Sequence, residues 1–330
     1  MSGKISTTNA MAKTLSIIIP YYNEAENLPN IFREVMSVYQ ADLQSFQLEI
    51  IFMDNHSVDE SYDVAETICT THPEIRTKIV RLSRNFGYQA NILAGLIHCT
   101  GDAAVQLDAD GEDDPALIPL LVKHWIAGNK VVYGIRNKRH EGVIISLQRK
   151  VFYRLINYLS SIPIPLDAGD FRLLDRQVIE TIKSFDESNP YLRGLIAYAG
   201  FNQIGIPYDR RPRLRGESKF SWWEYLQLAV DGITSFSHKP LNIAVWLGFT
   251  FSLASFLAVI FYIWLYLFFG IGVPGFTTLI LVHLFLAGIQ LLFLGVLGTY
   301  IGRIFDQVKR RPVSIVESIR VSPKNADPRN

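Results

Sequence analysis

Between Pro240 and Gly302 the chain carries no Asp, Glu, Lys or Arg. A helix needs about 20 apolar residues to cross about 30 Å of hydrocarbon, so this run is too long for one crossing and suits two. The spacing predicts a first span over 241–269 and a second over 276–301, with Gly270, Gly272, Pro274 and Gly275 marking the turn. Lys239 precedes the pair, Arg303, Lys309, Arg310 and Arg311 follow it, and the turn is uncharged. The positive-inside rule then places both ends in the cytoplasm. Gly288, Gly295 and Gly298 give the second span a small-residue side for close packing, within the hairpin or in a homo-oligomer. His283 and Gln290 are polar groups suited to hydrogen bonds between helices.

Before Pro240 the composition is that of a soluble domain. A net charge of +1 gives no reason to expect nucleic acid as a partner. Cys69 and Cys99 are the only cysteines, too few for a disulfide framework and consistent with a reducing compartment. Residues 1–13 are polar and lead into a short apolar stretch broken by Pro20, which is not the pattern of a signal peptide.

From Leu15 onward apolar runs alternate with helix-like segments. Strands are predicted over 15–19, 48–53, 78–82, 103–107 and 131–133, and helices over 24–38, 59–70, 89–98 and 115–127. This alternation implies an α/β fold, a Rossmann-like, mostly parallel sheet with helices on both faces. The expected divisions are a cytosolic domain over 1–220, a juxtamembrane helix over 221–238, the two spans over 239–302 and a cytosolic tail over 303–330. Ligands bind such sheets beyond the carboxyl ends of the strands, which here means the polar loops 20–23, 54–59, 83–87 and 108–114. A dinucleotide site requires G-x-G-x-x-G after the first strand, but this chain has Pro20-Tyr21-Tyr22-Asn23-Glu24 there and no Walker sequence elsewhere. Any bound nucleotide must have its phosphates held by a metal and basic side chains.

Three clusters carry chemistry. Val105-Gln106-Leu107-Asp108-Ala109-Asp110 is an apolar strand ending in two carboxylates, hard oxygen ligands of the kind that suit Mg²⁺ or Mn²⁺ on a diphosphate. It continues as Gly111-Glu112-Asp113-Asp114-Pro115; an EF-hand is excluded because its sixth position needs Gly and its twelfth needs Glu, where this chain has Pro119. Asp113 and Asp114 also suit a solvated helix start. After another strand, Asp54 is placed to accept from a base or ribose, Ser57 and Asp59 to cap the next helix, and His56 has no partner at zinc spacing. The third cluster is basic, with Arg210, Arg211, Arg213, Arg215 and Lys219 around Pro212 and Gly216. It suits either anionic lipid or a lid closing on a diphosphate. Amphipathic helices are expected over 147–159 and from the Ser221-Trp222-Trp223-Glu224 capping box to Phe236; the first suits a sheet face or the membrane surface, the second the interface. Residues 313–319 suit a strand pairing with another subunit.

In order, Leu15 to Glu24, Asp54 to Asp59, Ser83 to Gln89, Leu107 to Pro115, Gly169 to Arg176 and Arg215 to Ser221 resemble the successive motifs of family 2 glycosyltransferases with a GT-A fold. Together with two carboxy-terminal spans, the order is similar to the polyisoprenyl-phosphate branch, which includes dolichol-phosphate mannose synthases and bactoprenol glucosyltransferases. The Q-x-x-R-W motif of processive synthases is not found. The resemblance implies that Pro20, Tyr22, Glu24 and Asp54 line a nucleoside pocket and that Asp108 and Asp110 hold the metal. Glu112 stands where the family usually has a metal-assisting Gln, and Asn55 replaces the usual second acid after Asp54. Arg136 and Arg149 are implied to meet the acceptor phosphate, and Arg213, Arg215 and Lys219 the donor phosphates. Asp170 is a candidate for positioning the acceptor or acting as base; a salt bridge with Arg172 or Arg176 is the structural alternative.

The implied reaction moves a hexose, glucose from UDP-glucose, to a polyprenyl phosphate such as undecaprenyl phosphate at a bacterial inner membrane, with inversion. Two alternatives are a different donor, GDP-mannose or a UDP-aminoarabinose derivative, and a catalytically silent membrane scaffold.

Overall fold

A computed structural model describes residues 13–136, 168–211, 239–269 and 275–322. These fall into a sheet unit, with 13–136, 168–211 and 312–322, and a helical unit, with 239–269 and 275–311.

The sheet unit is built on eight strands: β1 Thr14–Tyr21, β2 Gln47–Asp54, β3 Arg76–Leu82, β4 Ala103–Gln106, β5 Val131–Arg136, β6 Ala168–Asp175, β7 Gln203–Tyr208 and β8 Val316–Val321. Their order is β7-β5-β6-β4-β1-β2-β3-β8. Pairings β1–β2, β1–β4, β2–β3 and β5–β7 are parallel, whereas β4–β6, β5–β6 and β3–β8 are antiparallel, so the sheet is mixed and mostly parallel. The five predicted strands are present. β6 and β7 were not anticipated, because β6 carries charge at Asp170, Arg172 and Asp175 and reads as a polar motif. The segment expected to pair with another subunit instead pairs with β3 of its own chain as β8, an edge strand whose residues are half-buried or exposed.

Period-two alternation gives the sheet two apolar faces. Leu15, Ile17, Ile19 and Tyr21 of β1 join one core with α1 Leu28–Asp42, α2 Ser61–Thr71 and α4 Ile118–Ile126. On the other face lies α3 Tyr88–His98, where a Cβ built on Gly95 would stand 2.5 Å from Ile18 and 3.0 Å from Met53. Two further helices, α5 Arg176–Lys183 and α6 Leu192–Tyr198, complete the unit. Gly95→Ala is expected to cost about 1–3 kcal/mol through overpacking, read as a lower denaturant midpoint; an unchanged midpoint would show that Ile18 can yield.

The first helix begins at Leu28 rather than at 24. Asn23 adopts a left-handed conformation (φ 56°), and Glu24 O accepts from the N–H groups of Asn27 and Leu28, so a turn precedes the helix. Pro29 then occupies the first helical turn, where its missing N–H costs nothing. The fourth opens with a 3₁₀ turn, Pro115–Leu117, capped by Asp114 Oδ1 accepting from Ala116 N at 2.9 Å. Asp114 therefore takes the helix-start role.

The helical unit consists of α7 Lys239–Phe269 and α8 Phe276–Lys309. Both are long and apolar enough to cross a membrane, over Leu241–Ala258 and Phe285–Lys309. α8 continues past the predicted end at 301 and stops at Arg310, whose φ is 47°. Among the described residues, a Cβ at Gly288, Gly295 or Gly298 would meet no neighbour within 4 Å. The two amphipathic segments over 147–159 and 221–236 lie outside the described residues.

Candidate active site

The strand directions bring the chemical residues to one edge. β1, β2, β3 and β4 end there at Tyr21, Asp54, Leu82 and Gln106. β5 and β7 run parallel to each other and antiparallel to β6, so Arg136 and Tyr208 end at the same edge where β6 begins. The β4–β6 register pairs Gln106 with Arg172; continued two residues, it sets Asp108 opposite Asp170.

The β1 and β2 loops form one corner. Asp54 is fully buried; its Oδ1 accepts from Ser57 N at 2.8 Å, and Arg81 Nη1 lies 3.5 Å from its Oδ2. Asn23 N donates to Ser57 Oγ at 3.1 Å and Glu24 N to Ser61 Oγ at 2.7 Å, tying the β1 loop to the β2 loop. Glu24 Oε2 accepts from Asn27 Nδ2 at 2.6 Å, Pro20 is buried in β1, and Tyr22 is half-buried after it. Asn55, in place of the family's second acid, accepts from Phe86 N at 3.0 Å and donates to Asn85 at 2.9 Å. It thereby anchors the loop after β3, a structural use that an acid lacking the amide donor could not fill.

The acidic loop follows β4. Tyr88 donates its hydroxyl hydrogen to Asp108 Oδ1 at 2.6 Å and accepts from Gln106 Nε2 at 3.2 Å. Asp110 Oδ1 accepts from Glu112 N at 3.1 Å across Gly111, whose φ is 72°. Glu112 is ion-paired with Arg210, which also lies 3.5 Å from Asp113 and 3.9 Å from Asp110. Tyr208 donates to Asp113 at 2.5 Å, and Arg211 spans Asp114 at 2.6 Å and Glu34 at 2.8 Å. The first two cations of the basic cluster therefore brace the acidic loop. Among the described residues, no three side chains of metal-ligating type converge, so Asp108, Asp110 and Glu112 do not form a preassembled triad.

Burial, then the charges of Asp113 and Asp110, push the Asp108 carboxyl up to about 8, against the Tyr88 hydrogen bond. An acid with a raised folded pKa adds stability that is present below the unfolded value of 3.8 and is lost as pH climbs through about 8. The metal-free protein should therefore melt at lower temperature at pH 8 than at pH 5, with Asp108→Asn flattening the slope. A melting point that rises over that window in the wild type contradicts this electrostatic picture.

Asp170 makes the salt bridge named as its structural alternative. Arg172, buried, lies 2.9 Å away, and Arg193 of α6 grips the same carboxylate in a fork at 2.9 and 2.7 Å. Arg176 instead pairs with Glu180 and donates to Gly101 O. Arg193 belongs to no motif, so nothing in the sequence marked it; Tyr88 lay within a quoted motif without a role. Arg136 ends β5 at this edge, and Arg149, Arg213, Arg215 and Lys219 lie outside the described residues.

A helix-covered, mostly parallel sheet with carboxylates and arginines beyond its central strands has the organisation of an α/β domain that binds its ligand at the carboxyl ends of the strands. Residues 16–183 match the model of glycosyl transferase family 2, and the chain belongs to that family. It is 40% identical over 303 residues to the uncharacterized glycosyltransferase YkcC of Bacillus subtilis (strain 168), covering 92% of this chain and 93% of that one. The prophage bactoprenol glucosyl transferase homolog of Escherichia coli (strain K12) is 34% identical over 307 residues, 93% of this chain and 99% of its own. The SfII prophage-derived bactoprenol glucosyl transferase of Shigella flexneri is 36% identical over 304 residues, 92% and 97%.

Proposed function

We propose that this protein is a membrane-bound inverting glycosyltransferase that moves glucose from UDP-glucose to a polyprenyl phosphate such as undecaprenyl phosphate. The carrying observation is the presence, in one family 2 chain, of an acidic loop at the carboxyl edge of the sheet and two helices long and apolar enough to cross a membrane. The E. coli and Shigella relatives, matched over nearly their whole length, are named for bactoprenol and glucose, which supports this acceptor and sugar. The charges flanking the two helices support a cytoplasmic location for the sheet unit and both ends of the chain.

Mg²⁺ or Mn²⁺ fits the donor chemistry, because Asp108 and Asp110 offer hard oxygens and Asp108 sits among carboxylates whose repulsion a cation relieves. Those two residues would hold it, with Glu112 committed to Arg210, and the ion would supply Lewis-acid relief of charge on the departing nucleoside diphosphate. Pro20, Tyr22, Glu24 and Asp54 hold the nucleoside, and Arg213, Arg215 and Lys219 the donor phosphates. Arg136 and Arg149 orient the acceptor phosphate, whose oxygen is already anionic near neutral pH and needs positioning more than deprotonation. That oxygen bonds to the anomeric carbon as the bond to the diphosphate breaks on the opposite side. Asp170 keeps Arg172 and Arg193 in place beside this centre.

A panel of UDP and GDP sugars offered with undecaprenyl phosphate and Mn²⁺ tests the donor. UDP-glucose should give the highest kcat/KM; a preference for GDP-mannose would reassign the sugar and base, and no glycolipid from any donor would leave a scaffold.

A further inference from the structure

We propose that Glu317, on the strand that follows the second apolar helix in sequence, is a positioning residue for the nucleoside end of the donor site and acts through Arg81. The inference rests on the reading of Asp54 as a nucleoside contact.

The β3–β8 ladder pairs Arg81 with Ser318 and Leu82 with Val316, so the register skips Glu317. Ser83 N donates to Ile315 O at 2.9 Å, and the pairing resumes beyond the skipped residue. Glu317 is therefore the extra residue of a β-bulge, the device by which a sheet edge re-aims one side chain at the cost of local pairing. The bulge turns its carboxylate to Arg81 Nε at 3.3 Å and His56 Nδ1 at 3.6 Å. His56, with φ 64°, sits 3.1 Å through the same nitrogen from Leu82 O. A carbonyl only accepts, so Nδ1 carries the hydrogen.

Arg81 makes further contacts through its other atoms. Its Nη1 lies 3.5 Å from Asp54 Oδ2, its Nη2 donates to Ser57 O at 3.3 Å, and its guanidinium covers the Tyr62 ring at 4.7 Å. Asp54 is fully buried, and a buried carboxylate depends on its cation for both charge and direction. Glu317 thus fixes the guanidinium that fixes Asp54. A half-exposed carboxylate contributes little stability through one ion pair, so stability alone gives no reason for a bulge that places it here.

The test uses the full-length protein in lipid nanodiscs, with UDP binding measured by calorimetry in Mn²⁺ and KM and kcat for UDP-glucose measured alongside. Glu317→Ala should raise the UDP Kd and donor KM roughly two- to fivefold, with kcat and the melting temperature unchanged. Arg81→Ala should raise them further, and adding Glu317→Ala to it should then change nothing, because a residue acting through a partner shows no effect once the partner is gone. An unchanged Kd in Glu317→Ala, or the same fold-change in both backgrounds, overturns the proposal. Asp54→Asn separates the two levels: if it leaves UDP binding intact, the nucleoside reading itself is wrong, whereas weakened binding in Asp54→Asn beside an unaffected Glu317→Ala removes only the present inference.

Discussion

Changing Asp108 and Asp110 together to Ala should reduce glycolipid formation on the order of a thousandfold, since the charge relief that a divalent cation held by the proposed pair would supply amounts to several kcal/mol of barrier. The same change should not destabilise the metal-free fold. Desolvation first, then the charges of Asp113, Asp110 and Asp170, push the Asp108 carboxyl up to about 8; removing the pair relieves both the desolvation and the repulsion. The contacts given up include the Tyr88 hydrogen bond at 2.6 Å, the Glu112 N–H contact at 3.1 Å and the approach of Arg210 to Asp110 at 3.9 Å. A melting temperature that holds or rises while activity collapses is the signature of residues kept for chemistry against local stability. Full activity in the double variant would remove the pair from the reaction, and a parallel loss of stability and activity would make it structural.

The second large effect is expected at Asp170. Its carboxylate is shared by Arg172, which is buried, and by the fork from Arg193. Asp170→Ala leaves a guanidinium buried without its counter-ion, a change that typically costs about 3–5 kcal/mol. Arg172 keeps its bond to Gly169 O at 3.0 Å, which favours the lower part of that range. A clearly lowered melting temperature in Asp170→Ala, with the pH–rate profile of Asp170→Asn keeping the wild-type shape, is the outcome of a positioning role. A lost limb in that profile at unchanged stability would instead make Asp170 the base.

The central strands were legible because each is a mostly apolar run between polar loops, and the acid pair because Asp108 and Asp110 follow such a run at once. The helical hairpin was legible from the absence of charge over 240–302. β6 was not, because Asp170, Arg172 and Asp175 interrupt its apolar pattern; its Asp170–Arg172–Arg193 network becomes visible only when α6 is folded against the sheet. β8 was seen as a strand but given the wrong partner, since an edge strand's pattern says nothing about which edge it joins. The basic cluster was read as a unit, and its first two members, Arg210 and Arg211, pair with Glu112, Asp113 and Asp114 of the acidic loop. Charge pairs between loops far apart in sequence cannot be assigned before the topology is known.

The most direct measurement is transfer of labelled glucose from UDP-glucose to undecaprenyl phosphate by the full-length protein in nanodiscs, with Mn²⁺ or EDTA present and the anomeric configuration of the product read by NMR. The expected result is a Mn²⁺-dependent lipid-phosphate glucoside of inverted configuration. A product of retained configuration, or donor binding without any glycolipid, would contradict the account.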